Sequence, residues 1–506
     1  VNDNAHYPER RTRIAGIEMD WPAALVNVYD QENVRISGKG IIDGNGKYWW
    51  DKFWGDPPRT GGMYTDYVEQ DLRWALDYDC KRVRPFVVYK SDNVCLEDFR
   101  VQQAGFWTIS LTYSNRVHVN GIVIRNNIGG HGPSTDGIDI DSSRDVLVEN
   151  CDVDCNDDNF CIKSGRDSDG LRVNMPAENI VIRNCVTGKG SGLITLGSET
   201  SGGMNNIEVY GLKATATNTG FRIKSARVRG GVIKNIWVHD VVMDSVKNPF
   251  HWELNWFPVY SYPPRPEHIP ESEWPAHWHV MLTPVEPPEK GIPEFYDLRI
   301  SDVTVTHAGQ GIYANAYPEK PIRNVLFENV TIESEKGGSI NNAKDWKMKN
   351  VELRAGEPVK MKNCRNVPSP SGPRWDDTTQ RDWPEQCREV GIPSPLDGET
   401  QMAFFYASKQ KNRPLVVSLH TWSGNYEQKD ELATQCIEKG YNYIHPDFRG
   451  PNNTFKACGS KYVIQDIEDA IAFAVENGNV DTTAIHVIGA SGGGYATLLT
   501  YMNTKH

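Results

Sequence analysis

Asp157 and Asp158 stand side by side, Asp136 lies about one repeat upstream, and Arg222-Ile223-Lys224 follows downstream. Crowded carboxylates resist joint ionisation, so one holds its proton near neutral pH and can serve as general acid while the others activate water. Arg222 and Lys224 are two apart, which on a strand points both the same way. They suit a carboxylate, arginine as a bidentate fork and lysine as a point charge. Three acids facing two cations is a set fitted to cutting a glycosidic bond beside a negatively charged sugar. Lys163 and Arg166 would extend the cationic strip, and Trp107, on an earlier coil, is a candidate for the cleft. Taken singly, an Asp-Asp turn or an Arg-x-Lys strand is usually just a wet surface. Their occurrence in phase with a repeat changes that reading.

The repeat is a short segment of Asn or Asp followed by alternating aliphatic residues. It recurs at Asn33-Val34-Arg35-Ile36, Asn93-Val94-Cys95-Leu96, Asn115 to Asn120, Asp145 to Asn150, Asn179 to Asn184, Asn206-Ile207-Glu208-Val209, Asn235 to Asp240, Asp297 to Ile300 and Asn324 to Asn329. The usual spacing of roughly 22 to 34 residues is that of one coil of a β-solenoid. Period-two alternation sends the aliphatic residues to one side, and stacking of coils buries them as a continuous core under a wall of parallel strands. Cys151 and Cys185 share one phase and are expected to stack inward. Asp157 and Asp158 can both reach a cleft only if the chain bends between them. Asp139 and Asp141 share a face of one strand and would either bind sugar hydroxyls or stay exposed.

The chain has 506 residues and a formal charge of −12. The length allows two or more domains. The charge argues against a nucleic-acid or anionic-membrane binder, and no apolar run reaches a membrane span. The ten cysteines form no CxxC framework and no zinc spacing, so neither metal nor cofactor is expected. Cys364 with Cys387, and Cys436 with Cys458, are possible pairs if the compartment is oxidising; buried free thiols are the other reading. Val1 opens the sequence without a methionine or signal segment and His506 falls a few turns into a helix, the pattern expected of a fragment or processed chain.

Ser134-Thr135-Asp136-Gly137, Asn156-Asp157-Asp158, Gly190-Ser191-Gly192 and Arg222-Ile223-Lys224, in this order on this repeat, resemble the four motif blocks of glycoside hydrolase family 28. That is the polygalacturonase family. Ile162 to Asp167 and Gly197 to Gly203 further resemble its bacterial exo-acting members. The third block departs from the family's Gly-His-Gly by placing Ser191 in the middle. The resemblance, over about 14–366, implies a mainly β fold, a right-handed parallel β-helix whose first coil is missing here. It implies that Asp157 protonates the leaving oxygen while Asp136 and Asp158 handle the attacking water with inversion. Arg222, Lys224, Lys163, Arg166, Ser191 and Trp107 become the substrate-binding set, and pectic polysaccharide or oligogalacturonide the partner of a monomer, secreted or periplasmic. A lyase and a non-catalytic glycan-binding solenoid are the competing readings.

Two wide gaps in the repeat, around Tyr48 to Trp54 and from Phe250 to Trp278, are rich in aromatic residues. Such loops either pack onto the solenoid or close one end of a cleft, which would give exo cleavage. The reading divides the chain into a β-helix domain at 1–366, a turn-rich linker at 367–394 and an α/β segment at 395–506. In the last, strand and helix alternate, and Gly489-Ala490-Ser491-Gly492-Gly493 matches the G-x-S-x-G elbow between strand and helix. With the loop His420 to Gly424 as oxyanion donor, this resembles a truncated α/β-hydrolase of the prolyl oligopeptidase and esterase branch. Ser491 would be its nucleophile, and because His420, His445 and His486 all precede it, the domain is expected to be inactive.

Overall fold

The computed structural model describes residues 3–57, 59–370, 382–428 and 430–504, so part of the expected linker lies outside the described residues. The chain divides into two compact units, Val1–Lys362 and Asn363–His506.

The first unit is mainly β, with a large parallel sheet system consistent with a right-handed parallel β-helix. One face is built from Phe86–Tyr89, Ile109–Thr112, Ile138–Asp141, Asp158–Lys163, Gly192–Leu196, Thr219–Lys224 and Asn248–Glu253, each paired in parallel with the next. Register stacks like on like. Ile138, Phe160, Ile194, Phe221 and Phe250 form one fully buried row, and Ile140, Ile162, Leu196, Ile223 and Trp252 another. The outward rows carry the chemistry: Asp139, Cys161, Thr195, Arg222 and His251 lie in line, with Lys163 beside Asp141 one pleat on.

The Asn or Asp that starts all but one of these repeats has a conformational cause; in the repeat that opens at Asn115 the left-handed residue is Arg116. Asn33, Asn93, Asp145, Asn179, Asn206, Asn235, Asp297 and Asn324 all have φ between 53° and 58°, the left-handed region that Asn and Asp tolerate better than other side chains. The amides also chain between coils: Asn206 donates to Asn179 at 2.7 Å and Asn179 to Asp145 at 2.8 Å. Cys151 and Cys185 are buried in the stack, with the Cys151 N–H directed at the Cys185 sulfur at 3.4 Å. The cysteines expected as possible pairs are free thiols.

The two wide gaps fold into short helices, including Lys47–Trp54, Met63–Glu69 and Ala276–Met281. Trp74, Tyr260, Trp274 and Trp278 from these gaps pack with Trp21, Phe106 and Trp107 in one apolar cluster. Most of the loop aromatics therefore serve packing.

The second unit is a five-stranded sheet in the order Arg388–Pro393, Thr400–Tyr406, Asn442–Pro446, Arg413–Leu419, Val480–Gly489. Its first two pairings are antiparallel and its last two parallel. Helix Lys461–Asn477 buries Val463, Ile467, Ala470, Ile471 and Ala474 against it. No helix among the described residues is long and apolar enough to cross a membrane.

Candidate active site

A bend at Asn156 and Asp157 ends one coil and strand Asp158–Lys163 begins the next. The bend separates two neighbouring carboxylates. Asp157 is half-buried and lines a cavity of about 100 Å³, together with Asp136, Lys163, Lys224, Glu199, Trp107, Trp256 and Tyr260. Asp158 turns beneath it and is fully buried. Carboxylate oxygens of Asp136, Asp157 and Asp158 all lie within 4.8 Å of one another. Winding has thus gathered the three acids as their spacing implied.

Their environments drive them apart. Burial first, then Asp139 and Asp157, push the Asp136 carboxyl well above the usual carboxylate range. Burial and then Asp158 raise Asp157 too. Burial would also raise Asp158, but Lys224, Arg222 and Lys163 outweigh it and hold that group below its ordinary value. The contacts explain this: Lys224 Nζ donates to Asp158 Oδ2 at 2.7 Å and Arg222 Nη1 to Oδ1 at 3.2 Å. One acid is held ionised while two lining the cavity favour a proton, the division of labour that acid–base chemistry requires.

Of the four cations expected at the site, Lys224 and Lys163 line the cavity and Arg222 and Arg166 do not. Arg222 is turned toward Asp158 and is not among the lining residues, so its fork is partly engaged inside the protein. Lys224 does line the cavity, with its ammonium 4.8 Å from the centre of the Trp256 ring. Lys163 is buried, donates to Glu199 at 3.0 Å and lies 3.9 Å from Asp136 and 3.7 Å from Asp139. Its ammonium also sits 4.9 Å from the centre of the Trp107 ring, which places Trp107 at the cavity as expected. Arg166 does not extend the strip. It is fully buried and donates to Tyr78 Oη at 2.7 Å, to the Tyr260 carbonyl at 2.8 Å and to Asp167 at 3.0 Å, tying loops together. Ser191 reaches the site through its backbone, its N–H donating to the Asp157 carbonyl at 2.8 Å.

Glu199, Arg73 and Asp77 also line the cavity, and motif reading did not single them out. Lys163, Arg229 and Lys224 overcome burial to hold Glu199 at about 2. Arg73 donates to Asp77 at 2.9 Å. The signal was available in part, since Glu199 falls in the segment noted for its resemblance. His251, one rung beyond Arg222, stacks on Tyr313 at 4.5 Å, and burial with the Arg222 charge lowers it to about 4.

Asp139 and Asp141 are both buried, against the expectation of sugar contact or exposure. Asp141 accepts from Arg13 at 2.9 Å. Neither Asp139 oxygen accepts a hydrogen bond, and burial followed by the Asp158 and Glu199 charges, opposed by Lys163, drives its carboxyl well up. Its folded pKa is therefore above the unfolded value of about 3.9. The stability it contributes is present below that value and is lost as pH rises toward the folded pKa. Asp139→Asn is expected to be more stable than the parent at pH 8 by about 1 kcal/mol or more, with no such gain near pH 3.5. Urea midpoints at the two pH values check this; equal midpoints at pH 8 would contradict it.

Fold and site together give a large parallel sheet, consistent with a right-handed parallel β-helix, beside a cavity lined by acids and cations from its strands and loops. Residues 66–261 match the model for glycosyl hydrolases family 28. A probable polygalacturonase of Vitis vinifera is 28% identical over 306 residues, 59% of this chain and 52% of that protein. The exo-poly-alpha-D-galacturonosidase of Dickeya chrysanthemi is 23% identical over 411 residues, 72% and 63% respectively. The chain thus spans about half to under two thirds of these relatives' lengths. Among solved structures, the exopolygalacturonase of Thermotoga maritima superposes with a TM-score of 0.53 at 22% identity, covering 72% of this chain and 77% of that one. The family 28 exopolygalacturonase of Yersinia enterocolitica gives 0.56 at 20%, covering 72% and 66%. The structural likeness speaks for the fold, and the family match supports the resemblance read from the four motif blocks.

Proposed function

We propose that the first unit hydrolyses galacturonic acid linkages in pectic polysaccharide or oligogalacturonide, outside the cell or in the periplasm. The observation that carries this reading is the electrostatic split between ionised Asp158 and the proton-holding pair Asp136 and Asp157 at a cavity that also holds Lys224 and Lys163. The Asp157 charge is among those that raise Asp136, so the two acids lining the cavity hold one proton between them in this mechanism. With that one proton on Asp157, Asp157 gives it to the leaving oxygen, Asp136, left ionised, takes one from water, and Asp158 steadies the developing charge from below. Lys224, Lys163 and Arg73 line the cavity and Arg222 does not, so those three supply the positive field for a uronate carboxylate.

Inversion is the outcome adopted from the family. The acid oxygens lie closer together than the roughly 6.5–9.5 Å of most inverting pairs, so the anomer released should be read directly by proton NMR. Exo action is supported by Trp256, Phe257 and Tyr260, which bring the second aromatic loop to the cavity wall.

Polygalacturonate incubated with the protein and a chelator tests the reading. New reducing ends without ultraviolet-absorbing unsaturated ends are expected. Unsaturated ends would mean a lyase, and no new ends of either kind a binding solenoid.

The second unit follows the start of an α/β-hydrolase. Ser491 has φ 53° and ψ −117° at the head of helix Gly492–Asn503, a strained turn of the elbow type. A Cβ on Gly492 would stand 2.5 Å from the Trp422 amide nitrogen, so the two loops meet closely there. His420, however, stacks on Phe448 at 3.9 Å, and His445 sits 3.5 Å from Asp430. Both are engaged elsewhere. No turnover of a p-nitrophenyl acyl ester is expected from this chain; turnover lost in Ser491→Ala would overturn that.

A further inference from the structure

The coils place a second chemical cluster on another run of stacked strands, among residues that do not line the acidic cavity. Strand Asp92–Glu97 pairs in parallel with Asn115–Asn120, which sets Cys95 opposite His118. Two residues on, Glu97 shares the outward face with Cys95. The Cys95 thiol donates to Glu97 Oε1 at 3.0 Å. On the next rung, Glu149 Oε1 is 2.9 Å from His118 Nε2. Donor atoms of Cys95, Glu97 and His118 all lie within 4.8 Å of one another. Cys95 and His118 are far enough apart in sequence that no metal spacing is visible; the interstrand distance creates the proximity.

Two arginines bear on the cluster without blocking it. Arg35 Nη2 holds Glu97 through Oε2 at 2.6 Å, and Arg183 Nη2 holds Glu149 through Oε2 at 2.7 Å. In each carboxylate the other oxygen is the one turned to the thiol or the imidazole. The His118 side chain is 36% exposed and that of Glu97 18%, so an ion can enter from solvent.

We propose that Cys95, Glu97 and His118 bind a borderline-soft divalent metal ion of the zinc type, with Glu149 as the positioning residue for the His118 ring. Mixed sulfur, nitrogen and oxygen donors match zinc rather than calcium or magnesium, which take oxygen sets. On binding, the Cys95 S–H bond breaks, its proton passes to solvent, and the sulfur lone pair goes to the metal, which stays divalent. Hydrogen bonding of a ligating histidine to a carboxylate is the arrangement that fixes ring orientation in such sites.

The test uses the full chain, stripped with chelator, dialysed and titrated with zinc chloride in a calorimeter. In parallel, alkylation of Cys95 by iodoacetamide is followed by peptide mass spectrometry, which separates this site from the acid cluster and from the other nine thiols among the ten cysteines. Zinc is expected to slow Cys95 alkylation tenfold or more, His118→Ala to abolish that protection, and Glu149→Gln to weaken zinc affinity about 10- to 100-fold. Metal-free unfolding midpoints establish that the variants are folded, with His118→Gln as the substitute if alanine is not tolerated. Cys95 reacting at one rate with and without zinc would overturn the proposal. So would equal protection in the folded His118 variant.

Discussion

Asp157→Asn is expected to lower kcat on a galacturonate polymer by about 10³-fold or more, within the range for loss of a general acid, while leaving substrate binding nearly unchanged. The asparagine carbonyl can still accept the Asp158 N–H that Asp157 accepts at 3.0 Å, so the bend and the buried pairs beneath it survive. What disappears is the proton that burial and the Asp158 charge hold on this carboxyl. A loss confined to kcat marks an interaction made in the transition state. Steady-state kinetics with a binding isotherm on the variant provide the measurement. Turnover equal to the parent's would remove Asp157 as the acid.

The second large effect is on stability. Lys224→Met keeps most of the side-chain volume but leaves the fully buried Asp158 with Arg222 at 3.2 Å as its remaining hydrogen-bonded cation. Breaking a buried pair by removing one partner costs about 3–5 kcal/mol. The direction with pH follows from the sign of the shift. Asp158 lies below its ordinary value in the folded protein, so its stabilisation is present above the unfolded value of about 3.9 and is lost as pH falls through the folded one. Without Lys224 the folded value rises, and acid unfolding is expected to begin at higher pH. Urea denaturation at neutral pH and an acid titration of the same variant decide this. A midpoint matching the parent's in both would show that the pair carries no such weight.

Much of the first unit could be read from the repeat. Alternation identified the aliphatic rows, and the phase of the motifs brought Asp136, Asp157 and Asp158 together because each coil returns the chain one strand spacing away. The positive φ behind most of the leading Asn and Asp residues was implicit in residue type. The fate of the cations was not legible. Spacing says that Arg222 and Lys224 face outward, but whether they meet a ligand or Asp158 depends on how the bend at Asn156 and Asp157 turns the next carboxylate. Arg166 reads as surface for the same reason: its burial comes from Tyr78 and Tyr260, on loops distant in sequence. Cys95 and His118 lie on ordinary-looking strands, and register alone pairs them.

The central physical claim is that Asp136 and Asp157 share a proton above an ionised Asp158. Carbon-13 NMR of aspartate-labelled protein, titrated with acid and assigned through Asp136→Asn, Asp157→Asn and Asp158→Asn, measures it directly. Two carboxyls titrating above the ordinary range and a third below it are expected, with Asp136 moving down when Asp157 is replaced. Three carboxyls titrating independently near the ordinary aspartate value would contradict it.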